Sequence, residues 1–162
     1  MVTLDPIIDA THWSWGGQAY GSWGFDATRK PDIAGWLGSI WTSKTSTAAA
    51  EVRLKSTGTY SLAGKTFGAL LYIADDATVA KINYVNIVLY DSSRWRAFDF
   101  TTLALTSGRW ILVRSAVDSY TVQEASFNVN NSLFVDLKLI LTGAGETVAA
   151  NKIFWSNLHY LG

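Results

Sequence analysis

The chain has 162 residues, which is enough for one domain with a hydrophobic core and short for two. It contains no cysteine, which excludes disulfide bonds and thiolate metal sites and is typical of proteins that fold in a reducing compartment. Its 13 basic and 13 acidic residues give a formal net charge of zero, so we expect no nucleic-acid partner and no membrane binding.

Residues 12–47 are rich in Gly, Trp, Ser and Thr, and apolar and polar residues show little alternation there. This composition predicts a loop region that contains only short strands. A strand is predicted next, at residues 49–54, where a short helix is the alternative.

The rest of the chain alternates with a period of two residues, which is typical of β-strands. The predicted strands are residues 67–73, 84–90, 94–98, 110–114, 134–141 and 153–160. Turn-forming residues separate them, for example at residues 91–93. The pattern predicts a single all-β domain over residues 1–162, a sandwich of two antiparallel sheets. In the last strand, alternation places Phe154, Leu158 and Tyr160 on one face.

Several predicted strands carry apolar residues on both faces, as Leu70 and Leu71 do. In a two-layer sandwich the outer face of each sheet normally contacts water. We therefore expect a loop or a partner to cover an outer face.

Four segments in the last two thirds of the chain resemble parts of a known family. Residues 61–73 are similar to a loop that leads into a framework strand, and residues 84–95 to the hairpin that follows it. Residues 107–113 resemble a later strand with a Gly-x-Trp pattern, and residues 152–160 resemble the closing strand. Together they resemble carbohydrate-binding-module-like domains, which also recur in phage tail and capsid-decoration proteins. The resemblance implies a jelly-roll topology.

Residues suited to catalysis are scarce. The two histidines, His12 and His159, lie near opposite ends, and the chain has no nucleophile elbow, no His-Glu-x-x-His pair and no phosphate-binding glycine loop. Asp75 and Asp76 are adjacent, but a solvated turn is the better interpretation than a calcium site. Ser156 stands where the family often has an Asp that can bind structural calcium. We expect no enzyme activity, no cofactor and no metal.

Aromatic residues are the most distinctive feature, with eight Trp, seven Tyr and seven Phe, whereas only 16% of residues are charged. At residues 12–25 the rings lie among glycines, and rigid rings can stack on sugars or fill a partner's pocket. We predict a partner- or glycan-binding site here. Its residues are Trp13, Trp15, Tyr20 and Trp23. The alternative is that these rings cover the domain's own core. Trp95, between two arginines, is a second surface candidate.

Two functions are consistent with these features. The first, which the resemblance implies, is a structural virion protein: a phage capsid decoration (cement) protein or small tail component that binds the shell and its own copies. A homo-oligomer is then expected, with a trimer suited to threefold lattice positions. The chain begins without a secretory signal, which fits synthesis in the host cytoplasm. The alternative is a carbohydrate-binding module or receptor-binding domain that stacks sugars on exposed aromatic residues.

Overall fold

The structure is a computed structural model. It describes residues 2–5, 7, 11–14, 20–34, 36–56, 59–132 and 134–161. Within these residues the chain forms 12 strands, one short α-helix and one 3-10 helix. No helix in this part of the chain has the length and hydrophobicity needed to cross a membrane.

The described residues contain the following strands and helices. In chain order they are β1 (Val2–Asp5), β2 (Trp13–Ser14), β3 (Trp23–Asp26), β4 (Ser39–Lys44), β5 (Glu51–Ser56), β6 (Thr66–Ile73), α1 (Asp76–Val79), β7 (Ile82–Asp91), β8 (Arg94–Phe100), β9 (Trp110–Ala116), β10 (Val122–Gln123), the 3-10 helix (Val129–Asn131), β11 (Phe134–Leu141) and β12 (Val148–Leu161). Every strand predicted from residue 67 onwards is present, and the segment predicted at residues 49–54 is strand β5 rather than a helix.

The strands form two six-stranded antiparallel sheets. The front sheet has the order β10-β8-β7-β11-β5-β2, and the back sheet has the order β3-β4-β12-β6-β9, with β1 paired to β12. Alternate residues of both sheets meet in one core, where side chains such as Leu71, Ile87 and Leu137 are fully buried. Each such side chain contributes roughly 1.5–3 kcal/mol of hydrophobic free energy. The predicted all-β jelly-roll sandwich is confirmed.

Strand β12 contains a β-bulge at Asn157, where the backbone φ is 47°. The bulge adds one residue and reverses the faces of the residues that follow it. Trp155 and Leu158 consequently both point into the core. The prediction that Phe154, Leu158 and Tyr160 share a face is wrong, because Phe154 precedes the bulge and lies on the outer face.

The outer face of the back sheet carries a row of aromatic side chains, one on each of four neighbouring strands. From β4 to β9 the row is Trp41, Phe154, Tyr72 and Trp110. Arg29, in the connection between β3 and β4, donates a hydrogen bond of 2.8 Å to the Tyr72 hydroxyl. Its guanidinium carbon lies 4.6 Å from the centre of the Tyr72 ring and 5.2 Å from that of Phe154. A loop therefore covers part of this outer face, as the apolar residues on both faces predicted.

The adjacent carboxylates at Asp75 and Asp76 begin helix α1. Asp75 is the N-cap residue, and its carboxylate accepts hydrogen bonds from the backbone N–H of Thr78 at 2.8 Å and from the Thr78 hydroxyl at 2.7 Å. Lys152 Nζ donates a third hydrogen bond at 2.6 Å. The bond from Lys152, followed by those from Thr78, lowers the pKa of Asp75 from 3.8 to about 2.

We expect the acid stability of the domain to depend on Asp75. Because its pKa is lower in the folded state, the carboxylate stabilises the fold above about pH 4 and loses that contribution as the pH falls towards about 2. Asp75→Asn keeps a capping side chain but removes the charge. The variant should be less stable at neutral pH and should lose less stability on acidification, as urea unfolding midpoints would measure. Parallel losses in the two proteins would contradict this expectation.

Candidate functional site

The front sheet has a cleft on its outer face, and the β7–β8 hairpin sets its geometry. Asp91 and Arg94 form the last pair of the hairpin, and Ser92, with a φ of 54°, lies in the turn between them. The Asp91 carboxylate accepts a hydrogen bond of 2.9 Å from Arg94 Nε. The resulting register places Trp95 directly opposite Tyr90.

The cleft has a volume of about 270 Å³ and is lined by residues of β10, β8, β7 and β11. Neighbouring strands lie about 4.8 Å apart, so the cleft extends about 14 Å across the sheet. Its floor is apolar, because Val122, Ala97 and Val88 are cross-strand neighbours on the outer face. An aromatic row lies on one side of this floor and a polar row on the other.

The aromatic row consists of Trp95, Tyr90 and Phe134, which are cross-strand neighbours on β8, β7 and β11. The ring centres of Tyr90 and Phe134 are 6.4 Å apart. Lys55 Nζ lies 4.4 Å from the centre of the Phe134 ring and 5.3 Å from that of Tyr90. Burial, with the negative charge of Asp136 second, raises the pKa of Tyr90 to about 12. The phenol therefore stays protonated at neutral pH, with the carboxylate of Asp136 as its nearby acceptor.

The polar row consists of Asp99, Asn86 and Lys138, again on β8, β7 and β11. Asn86 Nδ2 donates a hydrogen bond of 2.6 Å to Asp99 Oδ1. Asn86 Oδ1 and Asp99 Oδ2, both hydrogen-bond acceptors, take no part in this bond. The cleft thus places hydrogen-bond acceptors opposite aromatic rings.

A buried charge network lies beside the cleft and fixes Lys138. Asp136 is 0% exposed, and its Oδ2 accepts a hydrogen bond of 2.5 Å from Arg53 Nη2. Lys138 Nζ lies 3.9 Å from the same oxygen and 3.6 Å from Glu51 Oε2. The ammonium of Lys138 is therefore held towards β5.

The structure describes three of the four aromatic residues predicted at the N-terminal site, and these three differ in burial. Trp13 is 1% exposed and belongs to the core, because its pairing with Ser56 of β5 directs its ring between the sheets. The prediction that Trp13 is an exposed binding residue is therefore wrong. Tyr20 is half-buried in a turn, and Trp23 is 39% exposed on the edge strand β3. Trp15 lies outside the described residues.

Of the residues predicted from the sequence, Trp95 lines the cleft. Its neighbours Tyr90, Asn86, Asp99 and Lys138 are not predicted from the sequence. A signal for them does exist, because each alternates with core residues and so lies on the outer face of its strand. Their convergence depends on strand pairing, which the sequence pattern does not specify.

His159 is buried, with 2% of its surface exposed, and its Nδ1 lies 2.9 Å from the carbonyl oxygen of Asn157. Among the described residues, no group of three or more His, Cys, Asp or Glu side chains is placed to hold a metal. A second cavity, of about 430 Å³, lies in the connection between β3 and β4, but the front-sheet cleft is the one that combines an aromatic row with a polar row.

No protein-family model matches the chain, and neither does any curated protein. The family 11 carbohydrate-binding module of Clostridium thermocellum, solved with a β-1,3-1,4-mixed-linked tetrasaccharide, is similar in structure, with a TM-score of 0.60 and 12% identity over 99% of this chain and 95% of that one. A family 28 module specific for non-crystalline cellulose has a TM-score of 0.54 and 11% identity over 99% and 93% of the two chains. An exo-β-agarase has a TM-score of 0.61 and 6% identity over 99% of this chain and 24% of its own. These similarities show a shared jelly-roll fold.

Proposed function

We propose that this chain is a non-catalytic carbohydrate-binding domain that holds a glycan in the front-sheet cleft. The observation that carries the proposal is the presence, in one cleft, of Trp95 and Tyr90 opposite Asn86, Asp99 and Lys138. Aromatic rings stack on the apolar face of a pyranose, while polar side chains beside them bind its hydroxyls. A length of about 14 Å across four strands suits a chain of several sugars.

The fold agrees with this proposal but is not the main argument for it. One of the modules with this fold was solved with a mixed-linked tetrasaccharide, and another is specific for non-crystalline cellulose. Because a fold hosts many functions, the side chains of the cleft are the stronger argument.

Trp95→Ala should weaken glycan binding by about five- to 150-fold, because aromatic anchors contribute about 1–3 kcal/mol to such contacts. Affinity electrophoresis against a panel of polysaccharides would identify the ligand, and isothermal titration calorimetry would measure the change. Trp23→Ala is the matched control, since it removes an exposed Trp from the edge of the other sheet. Loss of binding in Trp23→Ala alone would return the site to the N-terminal aromatic segment. A wild-type protein that binds no member of the panel would contradict the proposed function.

The role of capsid decoration or tail protein, with self-association as a homo-oligomer, remains a prediction. The similar structures named above are carbohydrate-binding modules and a carbohydrate-active enzyme, so they favour the glycan-binding alternative. Location in a virion likewise remains a prediction.

A further inference from the structure

The polar row of the cleft contains a carboxylate whose charge is not offset by a cation. Asp99 accepts a hydrogen bond from the neutral amide of Asn86, and no ion pair among the described residues includes it. Burial raises the pKa of Tyr84, and the negative charge of Asp99 raises it further. The negative charge of Asp99, on β8, therefore affects a side chain on the neighbouring strand β7.

Two lysines and Arg53, on the same face, are paired with groups other than Asp99, and Arg53 pairs with Asp136 at 2.5 Å. Lys138 Nζ lies 3.6 Å from Glu51 and 3.9 Å from Asp136, on the β5 side of the cleft. Lys55, on β5, lies over the aromatic rings at 4.4 and 5.3 Å. Asp99 is on β8, two strands from β11 and three from β5. The β8 side of the cleft is consequently negative.

We propose that Asp99 makes the cleft selective for the charge of its ligand, a step that rests on the proposed function. An amine-bearing glycan binds most tightly, its neutral equivalent less tightly and a carboxylated equivalent least tightly. A protonated sugar amine at the polar row pairs with the Asp99 carboxylate, while a neighbouring sugar ring of the same chain stacks on Trp95 or Tyr90. A neutral sugar retains the hydrogen bonds from its hydroxyls to the row. An acidic sugar places a like charge beside Asp99, which lowers its affinity.

Three β-1,4-linked hexasaccharides that differ in charge would test this order: oligomers of glucosamine, glucose and glucuronic acid. Calorimetry at mildly acidic pH and low salt should give affinities that differ by about three- to tenfold at each step. Asp99→Asn should remove most of these differences. The formal net charge of zero limits attraction by the protein as a whole. Asp32→Asn is the control, because it makes the same charge change in an exposed loop outside the cleft.

Each outcome separates this inference from the proposed function. Equal affinities for the three oligomers, or an unchanged order in Asp99→Asn, would overturn the inference while leaving glycan binding in place. An equal shift in Asp32→Asn would assign the order to overall charge and would also overturn it. If none of the three binds, the inference is wrong, and the polysaccharide panel with Trp95→Ala then decides the proposed function separately.

Discussion

Asp136→Ala is expected to destabilise the domain by about 3 kcal/mol, because the change leaves a nearly buried guanidinium without its closest partner. The Asp136 side chain is 0% exposed, and Arg53, at 11%, donates to it at 2.5 Å. The next carboxylate available to Arg53 is Glu51, at 3.9 Å. A charge that has already lost most of its water gains little from so distant a partner. Urea unfolding at neutral pH measures the loss.

The Arg53–Asp136 pair contributes less to stability than the loss from removing one of its charges suggests. Removing both charges with Arg53→Met and Asp136→Leu should recover most of the loss, since neither desolvated charge then remains. Asp118→Ala is the control, because its carboxylate is 76% exposed in a pair with Arg96 and should change stability by less than about 1 kcal/mol. If Asp136→Ala costs no more than this control, the network is effectively solvated and Lys138 is not fixed by it.

The strands after residue 67 could be predicted because their pattern is local. Leu71, Ile87 and Leu137 each belong to a strand in which every second residue is apolar. Each of these strands buries one face in the core. Strand β4 could not be predicted in the same way. Five of its six residues are buried, so both of its faces are covered. Ser39 donates a hydrogen bond to the carbonyl oxygen of Arg29, in the connection that covers the outer face. Without a wet face there is no alternation to detect.

The cleft could be predicted only in part, because it is a product of register. The turn at residues 91–93 is short, so the pairing of Trp95 with Tyr90 follows from the hairpin itself. The pairing of Asn86 with Lys138 joins strands that are far apart in sequence, and no local pattern specifies it. Aromatic composition favours the glycine-rich segment as a binding site, but composition does not specify which rings point into the core, as Trp13 does through its pairing with Ser56.

Trp13→Ala should therefore act on stability rather than on a surface contact, with an expected loss of about 3–5 kcal/mol. The ring is 1% exposed within the core, and its Nε1 has no hydrogen-bond partner among the described residues. Trp13→Phe removes that unpaired N–H and keeps most of the apolar area, so its loss should be smaller, about 1–2 kcal/mol. Thermal and urea unfolding of the two variants measure both values.

Trp23→Ala supplies the comparison that separates core from surface in this segment. Its ring is 39% exposed on an edge strand, so the change should cost less than about 1 kcal/mol. If the losses of stability in the Trp13 and Trp23 variants differ by several kcal/mol, the two tryptophans have different roles although they lie in the same segment. If instead Trp13→Ala proved as mild as Trp23→Ala, the ring would not be part of the core, and a binding platform in the N-terminal segment would again compete with the front-sheet cleft.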